Sequence, residues 1–454
     1  MDNLLPKIKL GKYQEEKLDL SISAFEAFKR LYPYFKDIFL LESLGEEGKF
    51  NRFSYIGFSP KLIISAKNKE LFINGKLISI ENPYFFLSKL MEKFKSAGNG
   101  YCGGLVGFFT HEATKYFELA FTGYENYDFP DFLCGFFLDG FRFDKKTKEA
   151  FYFHHGESRL KKVYHLFHKE GKLDSFQFEK LQSAKTESDH KDMVLKAKEH
   201  IKKGDIFQVV LALKTFYKIS GDIRRFYAVL RQVNPAPYTF YIKFGERIVI
   251  SASPELLIGV KGDKIEHFGT LAGTIRRGGN DLEDNLLAEK LLGDEKEKAE
   301  HMMLVDLARN DLGRICEFGS VTVEKLSIVK KYSHVQHLYS EVRGKLKKGE
   351  NAFSALAACF PAGTLTGAPK IEAMKIIKNL EKEARGPYGG VGGYFSLNGE
   401  AMQAITIRSI FINGKTAYTQ TGSGIVADSE PEKEYQEIIN KQKAIEEALK
   451  LASI

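Results

Sequence analysis

An α+β fold, with large antiparallel β-sheets packed as a sandwich and helices on the outside, is the class this sequence predicts. Three observations carry it. Short apolar runs of strand character outnumber what an alternating βαβ chain would supply. The helical stretches fall between groups of strands and not after each one. A turn signal at Asn74-Gly75-Lys76 joins two apolar runs directly, as antiparallel neighbours require.

Taken in order, residues 19–36 (core AFEAFKRLYPYF) carry the spacing of an amphipathic helix, and a buried strand comes next over 38–43. The runs RFSYIGFSP, KLIISAK and ELFINGKLISI read as strands, as does the glycine-rich GYCGGLVGFFTHE at 100–112, whose small residues suggest close packing. DFLCGFFLDGFRFD and EAFYFHH predict a hairpin around DKKTKE. A strand-rich region is thus expected over 1–155, a charged helix and linker over 156–190, and a third region over 191–454. The last opens on a helix (VLKAKEHIKKGD), a strand (IFQVVLALKTFYK) and a helix (FYAVLRQV). Turn-separated strands continue to about Phe268, then helical pattern from Glu283 to Leu312, and a closing helix from about Glu432.

The charge of +8 arises from 67 basic and 59 acidic residues with no concentrated Arg/Lys block, so nucleic-acid binding is not indicated and a small anionic substrate fits. Cys102, Cys134, Cys316 and Cys359 are scattered, which reads as buried thiols in a reducing compartment. The first residues lack an apolar signal-peptide core and no run reaches a membrane span, so a cytoplasmic protein is expected.

Chemistry concentrates in two Glu-x-x-Glu pairs, Glu297/Glu300 and Glu434/Glu437, each on a predicted helix. Residues three apart share a helix face, so two such pairs can converge into an oxygen-rich pocket for a hard cation, Mg²⁺ being suited to it. Each pair taken alone reads rather as a solvated helix face, and it is the rest of the chain that favours the cation. Four glycine-rich stretches, LAGTIRRGG, PAGTLTGAPK, RGPYGGVGGYF and TQTGSGIVADS, offer backbone N–H groups to an anion or are plain turns. No dinucleotide fingerprint or P-loop is present. Glu255, His337 and Arg408 stand as polar residues on apolar runs, and a buried Arg must face an anion.

AEHMMLVDLARNDLGR, PAGTLTGAPK, RGPYGGVGGYF and GSGIVADSEPEKEYQE together resemble the chorismate-utilising enzymes, with the catalytic motifs running from about Ile206 to the end. The LLES at 40–43 and GGLVGFFTHE extend the likeness over nearly the whole chain. The resemblance implies a cytoplasmic synthase working with Mg²⁺ on chorismate, the cation held by Glu300 and Glu437 with Glu297 and Glu434 beside them. Relatives that add water carry a lysine base where Gln208 stands, and those that form a covalent adduct carry lysine where Ala272 stands. This pair therefore implies the large subunit of an anthranilate synthase. Such an enzyme takes ammonia from glutamine through a separate amidotransferase in a hetero-oligomer and serves tryptophan biosynthesis. Aminodeoxychorismate synthase component I, of the folate pathway, is the alternative, because NPAPYTF and GSG depart from the commoner N-P-S-P-Y-M-F and G-A-G.

By the same resemblance Glu255 is the general acid at the C4 hydroxyl, and His337 with Thr364 serves the second step. Gly273, Thr274, Tyr388, Arg408, Gly422, Ser423, Gly424 and Lys441 bind substrate. Tryptophan as feedback inhibitor is expected at Glu42, Ser43, Asn234, Pro237, Tyr238 and Thr239, with Thr239 standing where methionine is common.

Overall fold

The computed structural model describes residues 8–45, 50, 52–125, 127–183, 185–267, 272–331 and 335–454, with the backbone alone at Ala272, Thr274 and Val335. The described residues form two 12-stranded sheets whose pairings are antiparallel throughout. The first sheet runs from the Tyr13–Leu18 edge through the central pair Asp37–Glu42 and Tyr238–Phe244 to Thr416–Ile425, Gln208–Gly221 and Phe176–Lys180. The second runs from Ala272–Arg276 and Val335–Lys345 through Ala401–Ile405 and Val391–Ser396 to the Glu70–Ile73 and Lys76–Ile78 hairpin. Each sheet draws strands from both the 1–155 and the 191–454 stretches, so the two halves of the chain share one core.

The two-residue period of the strands decides what lies between the sheets. Phe39, Leu41, Phe240, Ile242, Val249 and Phe411 point inward, against Val106, Phe108 and Phe137 of the second sheet, as the contact of the Phe39 and Phe137 rings shows. Their neighbours Ile38, Leu40, Tyr241, Ile248, Ile250, Ile410 and Ile412 point outward, under the helices Ala24–Leu31, Arg224–Val233 and Pro431–Ala452. Burying one such side chain fully contributes about 1.5–3 kcal/mol, so this double-sided burial is what holds the central strands. Gly392 belongs to the inner layer. A Cβ there would sit 2.5 Å from the Phe240 ring, which is why the RGPYGGVGGYF strand needs glycine where the sheets meet.

Several elements differ from expectation for local reasons. The helix expected over 19–36 spans Ala24–Leu31: Ser23 caps its start, accepting from Glu26 N at 3.1 Å, and Pro33 tightens Tyr32–Tyr34 into a 3₁₀ turn. The stretch 131–144 is two strands, Phe132–Phe137 in the second sheet and Asp139–Asp144 in the first, so the chain changes sheets at Leu138. The helical pattern from Glu283 to Leu312 is two helices, Asp281–Gly293 and Glu295–Ile315. Asp294 separates them and caps the second, accepting from Lys296 N at 3.0 Å and Glu297 N at 3.1 Å. The expected turn at Asn74-Gly75 and the hairpin Asp139–Asp144/Ala150–His155 are both present. All four cysteines are buried and free. Among the described residues no helix is long and apolar enough to cross a membrane.

Candidate active site

The two Glu-x-x-Glu pairs lie at equivalent places on two helices. Glu297 stands in the first turn of Glu295–Ile315 and Glu434 in the first turn of Pro431–Ala452, which Pro431 starts. A helix N-terminus favours negative charge, so the first turn suits a carboxylate; Glu300 and Glu437 come one turn later. Burial pushes Glu297, Glu300 and Glu434 above the ordinary carboxylate range, and Glu437 adds to the rise in each. The four carboxylates therefore feel one another, although the pairs are far apart in sequence. Glu434 Oε2 is buried with no hydrogen-bond partner among the described residues.

The strands beneath bring in the next shell of residues. Val210 pairs with Gly424 and Ala212 with Gly422, which sets Gln208 beside the GSG segment. Gln208 Nε2 donates to Glu300 Oε1 at 2.7 Å. A Cβ on Gly424 would lie 2.6 Å from that same Nε2, so only glycine leaves room for the contact. Lys441 Nζ reaches Glu437 Oε1 at 2.6 Å and donates to the Gly422 carbonyl at 2.9 Å. Ser423 points to the opposite side of the strand, toward the Pro431–Ala452 helix.

Arg408 holds φ +52°, an uncommon left-handed conformation for a residue with a side chain, and donates from Nη1 to the Lys441 carbonyl at 2.8 Å. Burial pushes its guanidinium below the usual range, with Tyr388 and Glu437 opposing. Tyr388 is buried, its hydroxyl 3.0 Å from where a Cβ on Gly422 would be, and the Arg385 and Arg408 charges both act on it.

Glu255 is 4% exposed and accepts from Thr364 Oγ1 at 2.9 Å through Oε1. Its backbone is pinned by Ser253 Oγ, which accepts from Glu255 N at 3.2 Å, and by Ile405 N, which donates to its carbonyl at 3.0 Å. His337 pairs with Thr274 across the Ala272–Arg276 and Val335–Lys345 strands, and its Nδ1 lies 2.8 Å from the Gly273 carbonyl. A carbonyl only accepts, so Nδ1 carries the proton and Nε2 the lone pair. Burial pushes this imidazole down to about 4, with Arg408 and Lys441 acting in the same direction, so it is neutral near pH 7. Gly273 in turn sits against Glu297. Gln208, Glu300, Lys441, Arg408, Tyr388, His337 and the Gly422 and Gly424 backbone are thus drawn together and Glu255 is paired with Thr364, whereas Ser423 faces away. Thr274 is described by its backbone alone, and Leu271, the first residue of LAGT, lies outside the described residues.

The residues expected to hold tryptophan gather where the two central strands meet. Glu42 pairs with Thr239, and Leu44 N donates to the Ala236 carbonyl at 3.0 Å. Glu42 itself is committed: Arg231 Nε and Nη2 donate to its two oxygens at 2.7 and 3.0 Å, and Tyr227 OH at 2.7 Å. It faces the outer helices, as its place in the strand alternation demands. Ser43 faces the other way, its hydroxyl buried without a partner among the described residues. Tyr238 is half-buried on that same inner side and Pro237 lies against Gly45. Asn234 ends the Arg224–Val233 helix, donating its N–H to Leu230 O.

Sequence reasoning missed a buried set behind this site, Glu112, Glu381 and Arg385. Glu112 and Arg385 lie inside quoted motifs, and Glu381 stands four residues before Arg385, the spacing of a helical ion pair.

A family model described as chorismate binding enzyme matches residues 37–447. Anthranilate synthase component 1 of Methanothermobacter marburgensis is 44% identical over 454 residues, 99% of this chain and 97% of that one. The protein of the same description from Leptospira biflexa is 41% identical and covers 99% of both chains. Among solved structures, anthranilate synthase component I from Streptococcus pneumoniae superposes with a TM-score of 0.78 at 34% identity, over 88% of this chain and 93% of that one. These relatives favour the anthranilate reading over the aminodeoxychorismate one.

Proposed function

Because the chain belongs to the chorismate-binding enzyme family, we propose that it is the large subunit of an anthranilate synthase, turning chorismate and ammonia into anthranilate, pyruvate and water. The observation that carries this reading is the Gln208 amide donating to Glu300. An amide takes no proton from water at neutral pH, so the site lacks the base that water addition would need at that position, and ammonia brings its own nucleophilic lone pair.

The carboxylates fit a hard cation. Among the described residues no three His, Cys, Asp or Glu side chains are drawn close enough to enclose a metal. Mg²⁺ keeps several of its waters and is bound by one or two carboxylates, however, so an open ring with one orphaned carboxylate oxygen suits it. Glu300 and Glu437 would hold it, with Glu297 and Glu434 alongside; when bound it supplies neutralising charge at the ring carboxylate of chorismate.

This chain's own residues do the rest. Arg408 and Tyr388 face the enolpyruvyl carboxylate beside the Gly422–Gly424 backbone, and Lys441 adds charge at the ring carboxylate. Glu255, held by Thr364, delivers the proton to the C4 hydroxyl as ammonia forms the new bond at C2 and water leaves. His337 Nε2 is then placed to take the C2 proton as the enolpyruvyl group departs as pyruvate and the ring aromatises.

Glutamine serves as the ammonia source through a separate amidotransferase subunit, in a cytoplasmic hetero-oligomer. Tryptophan closes the pathway by binding where Ser43 and Tyr238 face one another across the central strands. The Ser43 hydroxyl, without a partner among the described residues, supports that reading, while Glu42, turned to the outer face and held by Arg231 and Tyr227, stays out of the site. Incubation of the purified chain with chorismate, Mg²⁺ and an ammonium salt, then product identification, tests the proposal. Isochorismate or aminodeoxychorismate as the product would overturn it.

A further inference from the structure

Behind the substrate face lies a charged cluster with no access to substrate. Arg385 is 1% exposed, Glu381 0% and Glu112 1%. Arg385 Nε and Nη2 donate to the two Glu381 oxygens at 2.9 and 2.5 Å, and Glu381 Oε1 also accepts from Ala212 N at 2.9 Å. Arg385 Nη1 donates to the Leu365 carbonyl at 2.6 Å and Nη2 to the Val210 carbonyl at 2.7 Å. Its guanidinium stands 5.7 Å from the centre of the Tyr388 ring. Glu112, the last residue of GGLVGFFTHE, accepts from Arg385 N at 2.9 Å and Gly386 N at 3.0 Å.

Three of these Arg385 contacts land on or next to a residue of the site. Leu365 is next in the chain to Thr364, which holds Glu255. Val210 is two residues beyond Gln208 on the same face of the same strand, and Tyr388 is three residues beyond Arg385. A buried ion pair is a poor way to gain stability, because desolvating both charges offsets most of their attraction. A guanidinium, however, presents its donors in one rigid plane and cannot lose its charge. We propose that Arg385, locked by Glu381 and seated by Glu112, is a positioning residue that fixes the spacing of Thr364, Gln208 and Tyr388. Through Glu112 it also gives the 3₁₀ turn His111–Tyr116, which follows the Gly104–Phe109 strand, a part in the reaction. The inference rests on the site assignment above and deepens it.

The test is a double-variant cycle between Arg385→Lys and Thr364→Ala, in the full chain with Mg²⁺, chorismate and ammonium. Chorismate consumption is monitored as well as product, and urea unfolding is measured beside it. Lysine keeps the charge and loses the fork. The expected result is a folded Arg385→Lys protein whose kcat/KM for chorismate falls at least about tenfold, since misplacing a reacting group by about 1 Å costs on the order of a hundredfold. The double variant then loses less than about threefold beyond the worse single, because both changes disturb one contact path. Activity of Arg385→Lys within twofold of the native chain, or losses that multiply in the double variant, would overturn the proposal. Should Arg385→Lys not fold, Glu112→Gln, which keeps the Arg385–Glu381 pair, takes its place with the same two outcomes. Failure of the native chain to make anthranilate strikes the reaction assignment instead, and the cycle is then read on chorismate consumption.

Discussion

Gln208 Nε2 lies 2.7 Å from Glu300 Oε1, so the side chain we propose to select the nucleophile and a carboxylate of the proposed cation site are one hydrogen-bonded unit. Burial raises Glu300 and this bond opposes the rise. The amide thus keeps Glu300 closer to its charged form while offering no base to water.

Replacing Gln208 by Lys puts a titratable amine at that place. The variant is expected to release isochorismate beside anthranilate when ammonium is scarce, with the isochorismate share rising with pH as the amine loses its proton. Chromatography of the products checks this. A variant that makes anthranilate alone, at any ammonium concentration, removes the selecting role from this position.

Glu300→Gln and Glu437→Gln each remove one charge from the carboxylate ring. Turnover is expected to drop at least about a hundredfold at limiting Mg²⁺ in both, while the urea midpoint of Glu300→Gln stays at or above the native one, because its carboxylate is destabilised by burial and by Glu437. The pair Lys441–Glu437 is half-exposed and adds little to stability. Unchanged activity in both variants contradicts the cation assignment.

Much of this site was legible because its chemistry sits at short, regular spacings. Glu297/Glu300 and Glu434/Glu437 lie three apart on helices, although the break at Asp294 that starts the first of them was hidden within one continuous helical pattern. Contacts between distant segments were not legible. Nothing local marks Glu42 as the partner of Arg231, 189 residues on. The role of Arg385 runs through backbone carbonyls at Leu365 and Val210, which have no side-chain signature. The change of sheets at Leu138 was hidden for a related reason: both flanking strands are buried on both faces, so the alternation carries no mark of the crossing.

His190 gives a pH prediction independent of the site. It is fully buried on the Glu187–Lys203 helix, neither ring nitrogen has a partner among the described residues, and burial pushes it from 6.5 to about 4. Between those values the unfolded chain binds the extra proton and the folded chain does not, so the stability of this group falls as pH drops through that window. His190→Leu is expected to gain about 2 kcal/mol at pH 5 relative to its effect at pH 8, measured by urea unfolding. Equal pH dependence in both proteins contradicts the assignment.

Tryptophan binding can be measured directly, since the chain contains no tryptophan of its own. Titrating protein into tryptophan is expected to change the ligand's emission and to slow anthranilate formation, and Ser43→Ala is expected to weaken both effects together. By linkage, chorismate and tryptophan weaken each other's binding by one and the same factor. Unaltered emission together with full activity at saturating tryptophan rules the site out.

The most direct test of the reaction assignment is the identity of what leaves the enzyme when chorismate, Mg²⁺ and ammonium are its only reactants. The expected result is anthranilate and pyruvate in equal amounts, and no isochorismate even when ammonium is withdrawn. Isochorismate or salicylate, or an aminated product formed without pyruvate, would contradict it.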